Sequence, residues 1–185
     1  STDVLMNHLG THDTPRLLTR LGAKYYPPTR AEQSNFTLSD EQYALAKKKQ
    51  KLASVIQYTL PGVPSLYYGD EAGMEGYGDP FCRKTYPWGN ENKDLLEFYK
   101  TMGRIRRENH VFQKGFFSPV SSMLGCVAYR RHDENGDVMV IVNRNEHPIS
   151  YRLPDYYANS KALYGNNPEN NEVQIVGSSF VLLSL

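Results

Sequence analysis

The sequence predicts an α+β chain in which two strand–helix units precede a small antiparallel β-sandwich. Before about residue 110, short apolar runs alternate with stretches in which apolar residues recur at helical spacing. After that point the apolar period becomes two, and turn signals such as Asn135-Gly136 separate the runs. We therefore predict two domains, residues 1–109 and residues 110–185.

The first strand–helix unit begins with the apolar run Leu5–Leu9, which predicts a strand. A helix is expected to start at Thr14, because Thr favours the N-cap and the following Pro15 fits the first helical position. Gly22 is predicted to end that helix. The polar stretch Tyr25–Thr37, with its two adjacent prolines, predicts a loop.

A long helix leads into the second unit. Ser39 is its expected N-cap, with a capping-box glutamine three residues later, and the pattern ends at Pro61. Val63–Tyr68 predicts a buried strand, and the Gly- and Pro-rich segment Gly69–Glu91 predicts a long functional loop. Asn92–Asn109 predicts the helix that completes the unit.

The second domain is expected to contain seven short strands. Short strands at regular spacing, separated by turns, are typical of a β-sandwich. The predicted strands are Phe116–Val120, Leu124–Arg131, Val138–Asn143, Ile149–Leu153, Lys161–Leu163, Glu172–Val176 and Phe180–Leu183.

Composition argues against several classes of protein. The net charge of +1 offers no basic surface for nucleic acid or an anionic membrane, and no apolar stretch reaches the roughly 20 residues of a membrane span. Cys82 and Cys126 form no CxxC pair, so we expect neither a zinc site nor a disulfide framework. We expect no cofactor and no metal site. No signal peptide is visible at the start of the sequence, and the compartment stays open, with the cytoplasm slightly favoured.

A Thr-His-Asp-Thr motif directly follows the first predicted strand. We expect Asp13 at a helix N-terminus, where the partial positive charge keeps a carboxylate ionised, and His12 can donate hydrogen bonds to a hydroxyl group. An ionised carboxylate that faces a developing oxocarbenium ion is what glycosidic cleavage uses. The alternative is that Asp13 only caps the helix.

Two further motifs occur in the long loop. Asp70 and Glu71 are adjacent carboxylates, which either form an acid/base pair or, as we favour, hydrogen-bond backbone amides and arginines. Asp79 and Arg83 flank a proline, and together they can offer an acceptor and a donor to sugar hydroxyls. The alternative for this second pair is a salt bridge that folds the loop.

Together these segments resemble the α-amylase superfamily, glycoside hydrolase family 13. Leu9–Arg16 resembles the family's fourth signature region, at the end of barrel strand seven, and Pro61–Met74 resembles its strand-eight segment. Gly78–Lys84, followed by Pro87-Trp88, is similar to the neopullulanase, cyclomaltodextrinase and maltogenic amylase branch. The resemblance is strongest over residues 5–90.

The resemblance implies both a fold and a set of roles. Residues 1–109 would form the last two βα units of a (β/α)8 TIM barrel, and residues 110–185 would form the β-sandwich domain C. The implied site consists of Asp13 as the catalytic residue that stabilises the transition state, with His12, Asp79 and Arg83 as substrate-binding residues.

The catalytic set that the resemblance implies is incomplete in this sequence. The family's nucleophile Asp and acid/base Glu have no counterpart, and no Gly-Phe-Arg-x-Asp string occurs. A retaining mechanism needs two carboxyl groups about 5–5.5 Å apart. We therefore expect the chain to be a C-terminal fragment of a retaining glycosidase and to be inactive by itself.

The expected substrates of the parent enzyme are α-1,4 glucans such as maltodextrin, pullulan or cyclodextrin, with α-1,6 bonds as a second option. Exposed barrel edges are expected to drive homo-oligomer formation. One alternative is a non-catalytic carbohydrate-binding or assembly module. A transglycosylase or an isomerising relative is a weaker alternative.

Overall fold

A computed structural model describes residues 5–185 of the chain. Within it the chain folds into two units. The N-terminal unit consists of Met6–Gln57 and Pro64–Met102, and the C-terminal unit consists mainly of Tyr58–Val63 and Gly103–Leu185. The domain boundary at about residue 110 stays a prediction.

Two short strands form a two-stranded sheet: β1 (Met6–His8) and β2 (Val63–Ser65). Both are shorter than the sequence predicts. The second strand ends early because the chain turns after it, with the amide of Asp70 donating to the carbonyl of Tyr67 over 3.2 Å. The predicted strand end is therefore a turn that carries polar side chains.

The first helix, α1 (Leu17–Gly22), begins three residues after the predicted N-cap. Its N-cap is Arg16, whose side chain makes no capping hydrogen bond. Thr14 bonds locally instead, because its hydroxyl oxygen accepts from the amide of Thr11 over 2.9 Å. The prediction of Thr14 as N-cap was wrong, since its hydroxyl closes a turn before the helix begins.

A second short helix, α2 (Arg30–Asn35), lies inside the segment predicted as a loop. Thr29 and Glu32 form a capping box: the amide of Glu32 donates to the Thr29 hydroxyl (3.2 Å), and the amide of Thr29 donates to the Glu32 carboxylate (3.1 Å). No residue of α2 is buried, so no apolar period marks it in the sequence.

The two long helices are α3 (Asp40–Thr59) and α4 (Lys93–Glu108). Ser39 caps α3 as predicted, because its hydroxyl accepts from the amide of Gln42 over 3.2 Å. Asn92 plays the same part for α4, where its side-chain oxygen accepts from the amide of Leu95. Within residues 5–185, none of the helices combines the length and apolarity that a membrane crossing needs.

All seven predicted strands of the C-terminal unit are present, and their bounds differ from the predicted ones by at most three residues. The single-turn helix α5 (Val111–Lys114) and a 3-10 turn at Asp155–Tyr157 were not predicted. The strands are β3 (Phe116–Met123), β4 (Cys126–Asp133), β5 (Gly136–Asn143), β6 (Ile149–Arg152), β7 (Lys161–Tyr164), β8 (Glu172–Ile175) and β9 (Ser179–Ser184).

These strands form two antiparallel sheets, one of five strands in the order β3-β4-β5-β9-β7 and one that pairs β6 with β8. Alternate residues of a strand share a face, and the inward faces of both sheets contribute to one apolar core. That core contains Cys126, Ala128, Met139, Ile141, Tyr151, Leu153, Tyr157, Val173, Ile175, Val181 and Leu183.

Two arginines of the C-terminal unit bind the carbonyls at and just beyond the end of α3. Arg131 donates to the carbonyl of Thr59 over 2.7 Å, and Arg106 donates to the carbonyls of Tyr58 and Gly62 over 2.6 Å each. Carbonyls at a helix C-terminus lack intrahelical partners and attract cations. Burial, together with the nearby Arg106 charge, lowers the pKa of Arg131 to about 10.

Truncation of Ile141, which is fully buried in the central strand β5, should destabilise the C-terminal unit. We expect Ile141→Ala to lower its free energy of unfolding by about 2–5 kcal/mol, through lost burial and the cavity left behind. Val176 is 59% exposed, so Val176→Ala serves as the control and should change it by less than about 0.5 kcal/mol. Urea unfolding followed by circular dichroism measures both, and equal effects would contradict the assignment of the core.

Candidate functional site

The carboxylate of Asp13 lies between two cationic or donor side chains of the N-terminal unit. His12 Nε2 is 3.1 Å from one carboxylate oxygen, and Arg83 Nη2 is 3.1 Å from the other. The predicted position of Asp13 at a helix N-terminus was wrong, because α1 begins only at Leu17. The positive charge beside this carboxylate comes from Arg83 rather than from a helix.

Arg83 joins Asp13 to the long loop. Its Nε donates to the carbonyl of His12 over 3.0 Å and lies 2.8 Å from an oxygen of Asp79, with which Arg83 forms a salt bridge. The structure therefore brings together all four residues that the sequence singled out. The salt bridge between Asp79 and Arg83, foreseen as an alternative, is present as well, and Arg83 of this pair also contacts Asp13.

The four side chains of this cluster are well exposed, with relative accessibilities between 43% and 67%. Exposed ion pairs contribute only about 0–1 kcal/mol to stability. The cluster therefore offers oriented donors and acceptors to solvent rather than a strong stabilising contact.

Beneath the exposed cluster lies the guanidinium of Arg16, which is fully buried. Its Nε donates to the carbonyl of Cys82 over 2.7 Å, and its Nη1 donates to the carbonyl of Tyr68 and to Asp70. The rings of Tyr67 and Tyr68 lie 4.2 Å and 4.6 Å from its central carbon. The sequence assigned no role to Arg16, since nothing in its local pattern distinguishes a buried arginine from a solvated one.

Asp70 and Glu71 bind groups of the protein itself, as the favoured interpretation held. Asp70 is 3.3 Å from Nη1 of Arg16, and Glu71 accepts from the amide of Gly69 over 2.9 Å. Burial raises the pKa of Asp70 to about 6, although the Arg16 charge acts in the opposite direction. Desolvation therefore outweighs the ion pair in setting this pKa.

A pocket of about 230 Å³ adjoins the site through His12. It opens at the ends of β1 and β2, where a βα fold carries its chemistry. Its lining is formed by Met6, His8, Gly10, Thr11, His12, Ser65, Leu66 and Tyr67. This volume is below the roughly 300–1,000 Å³ that is typical of sites for drug-sized ligands.

Both cysteines are buried free thiols, and the thiol of Cys82 lies 3.0 Å from the carbonyl of His12. Cys126 lies in the core of the C-terminal unit, far along the chain from Cys82. Among residues 5–185, no group of three or more His, Cys, Asp or Glu side chains is arranged to hold a metal ion.

The sequence of the chain is similar to those of known proteins. Residues 2–89 match the family model described as alpha amylase, catalytic domain. An amylopullulanase of Thermoanaerobacter thermohydrosulfuricus is 42% identical over 131 residues, which are 71% of this chain and 8% of that protein. The chain belongs to the α-amylase family. A cyclomaltodextrinase of Bacillus sp is 32% identical over 150 residues, which are 79% of this chain and 23% of that protein.

Solved structures agree with the α-amylase-family fold. The type III pullulan hydrolase from Thermococcus kodakarensis superimposes with a TM-score of 0.77 at 25% identity, over 97% of this chain and 28% of that one. The amylopullulanase and the cyclomaltodextrinase are both glycosidases of the α-amylase family. The chain spans less than a quarter of the length of either of these two relatives.

The raised pKa of Asp70 predicts a specific pH dependence of stability. A folded-state pKa of about 6, against the ordinary 3.8 of an aspartate, means that the folded state binds this proton more tightly. The free energy of unfolding should therefore fall as the pH rises through this window, by about 1–3 kcal/mol. Wild type should lose stability relative to Asp70→Asn between about pH 4 and pH 7, as measured by urea unfolding at several pH values.

The readout is the slope of this difference with pH, because the unpaired Arg16 of the variant adds an offset that does not titrate in this range. Glu97→Gln is the matched control, since Glu97 makes an exposed ion pair with Lys100. A difference between wild type and Asp70→Asn that is flat with pH, or that has the opposite sign, would contradict the burial of an ionisable Asp70.

Proposed function

We propose that this chain contributes part of the active site of a retaining enzyme that hydrolyses α-glucosidic bonds. The proposal rests on the arrangement of Asp13, whose two oxygens each lie 3.1 Å from a side-chain nitrogen, one of His12 and one of Arg83, while the side chain stays 67% exposed. A carboxylate has about four lone-pair sites, so acceptors remain for sugar hydroxyls. The names of the relatives, amylopullulanase and cyclomaltodextrinase, support this chemistry.

In this proposal Asp13 acts electrostatically. Glycosidic cleavage passes through an oxocarbenium-like transition state, and a fixed anion stabilises the positive charge that develops on the sugar. His12 and Arg83 hold the carboxylate from its two oxygens and can donate to hydroxyls of the same sugar. Asp79, on the other side of Arg83, is the acceptor for the next sugar along.

The remaining catalytic groups lie outside this chain in our proposal. Asp13 and Asp79 are both paired with the Arg83 guanidinium, so neither is the protonated carboxyl group that the leaving oxygen requires. We infer that residues 1–109 are strands seven and eight of a (β/α)8 barrel with their helices, and that residues 110–185 are domain C. This chain superimposes on only 28% of the pullulan hydrolase chain, which supports the inference that it corresponds to part of a larger enzyme.

The proposed substrates are α-1,4 glucans of the maltodextrin, pullulan or cyclodextrin type, with α-1,6 bonds as a second option. The names of the relatives support pullulan and cyclomaltodextrin as classes. Exposed apolar side chains at β1 and β2, including Met6 (66% exposed) and Val63 (49% exposed), support association with further barrel strands or with a second copy.

The 185-residue chain by itself should not turn over substrate. We expect no sustained release of reducing ends from maltoheptaose, because retaining hydrolysis needs a nucleophile and an acid in addition to Asp13. A reducing-end assay over hours tests this, with intact cyclomaltodextrinase as the positive control. Sustained release by the purified chain would show that the catalytic groups have been misplaced.

The role of Asp13 can be tested in a complete barrel. A chimaera in which this chain replaces the matched segment of the Bacillus sp cyclomaltodextrinase should hydrolyse maltoheptaose, and Asp13→Asn should lower its kcat by about 100-fold or more. Asn keeps the shape of the side chain but removes its charge. Glu97→Gln, at an exposed ion pair, is the control and should leave kcat unchanged. A kcat for Asp13→Asn equal to that of the control would refute the assignment.

A further inference from the structure

Trp88 is the only tryptophan in the chain, and its side chain is 81% exposed. Most of a tryptophan is usually buried, because its large apolar surface gains much from leaving water. An aromatic side chain that a folded loop presents to solvent therefore indicates a contact surface. Trp88 lies in the long loop of the N-terminal unit and takes no part in the Asp13 cluster described above.

The turn that carries Trp88 is closed by backbone hydrogen bonds. The amide of Trp88 donates to the carbonyl of Tyr86 over 3.0 Å, and the amide of Asn90 donates to the carbonyl of Pro87 over 2.8 Å. Gly89 between them has a φ of +81°, in the left-handed region that favours glycine. The indole is thus presented by two successive tight turns rather than by a loose chain.

The ring of Tyr86 lies directly against the indole. Their centroids are 4.5 Å apart and the planes are inclined by 48°. Partial burial, with the charges of Glu71 and Glu91, raises the pKa of Tyr86. The carboxylate of Glu71 is itself held by the amide of Gly69, which donates to it over 2.9 Å. The aromatic pair therefore has two carboxylates nearby.

We propose that Trp88 and Tyr86 form a stacking platform for a pyranose ring of an α-1,4-glucan, an inference that rests on the proposed function. A pyranose presents a C–H face that packs on an aromatic ring and hydroxyls that donate to carboxylates. Glu71 and Glu91 disfavour phosphate-bearing ligands by repulsion. They also disfavour an apolar protein surface, because burying these charges without partners is costly.

Trp88 supplies its own test, because all tryptophan fluorescence of the chain comes from this residue. Titration of the whole chain with millimolar maltoheptaose should give a saturable shift of the emission and a loss of quenching by acrylamide. Sucrose at the same concentration is the control for bulk effects and should leave both unchanged. No saturable change with maltoheptaose, or an equal change with sucrose, would overturn the platform.

Two variants of Tyr86 test the ring contact itself. Tyr86→Ala should weaken the apparent affinity about tenfold, through the lost ring contact, whereas Glu97→Gln, at an exposed ion pair, should leave the fluorescence titration unchanged. Tyr86→Phe keeps the ring and should retain binding. This variant keeps the proposal testable if Tyr86→Ala fails to fold. Emission that depends on protein dilution, without any response to maltoheptaose, would overturn the platform and assign Trp88 to contact with a second copy.

The outcomes for the platform and for the proposed function are distinguishable. If the Asp13→Asn chimaera loses activity and maltoheptaose gives no fluorescence response, the proposed function stands and the platform is refuted. A saturable response together with an active Asp13→Asn chimaera would leave glucan binding at Trp88 and remove the catalytic role of Asp13.

Discussion

The buried guanidinium of Arg16 is the interaction on which the arrangement of the candidate site depends. Taking an arginine out of water is costly unless its charge and its N–H groups are satisfied. The carbonyl of Cys82, the carbonyl of Tyr68 and the carboxylate of Asp70 accept from its Nε and Nη1, whereas its Nη2 is buried without a hydrogen-bond partner among the described residues. Because Cys82 directly precedes Arg83, the group that satisfies Arg16 also fixes the loop that delivers Arg83 to Asp13.

Asp13 and Asp70, two of the aspartates of the N-terminal unit, lie in different environments. Asp70 is buried, and desolvation raises its pKa to about 6 even beside Arg16. Asp13 is exposed, accepts from Arg83 at one oxygen and lies 3.1 Å from His12 Nε2 at the other. A buried carboxylate supports the scaffold, whereas an exposed and oriented one can meet a ligand.

Much of the fold could be predicted because its signals are local. Ser39 caps α3 as its sequence context indicates, and the period of two located all seven strands of the C-terminal unit. The four residues of the Asp13 cluster were also found from the sequence. The prediction of Thr14 as the N-cap of α1 was wrong because its hydroxyl accepts from the amide of Thr11, a contact that depends on the three-dimensional turn. The burial of Arg16 could not be predicted, since it depends on Tyr68 and Asp70, which lie 52 and 54 residues away.

We infer that Arg16, through the carbonyl of Cys82, holds Arg83 in place on Asp13, and arginine Nε–H signals in an NMR spectrum can test this coupling. In the wild type, the Nε–H of Arg83 should exchange slowly because it donates to the carbonyl of His12, while Asp79 forms an ion pair with the same nitrogen. In Arg16→Lys, which cannot reproduce the planar fork, that protection should be lost, while the Nε–H of Arg130, bonded to Asp137 in the C-terminal unit, stays unchanged. An Arg83 signal that remains protected in Arg16→Lys would contradict the claim.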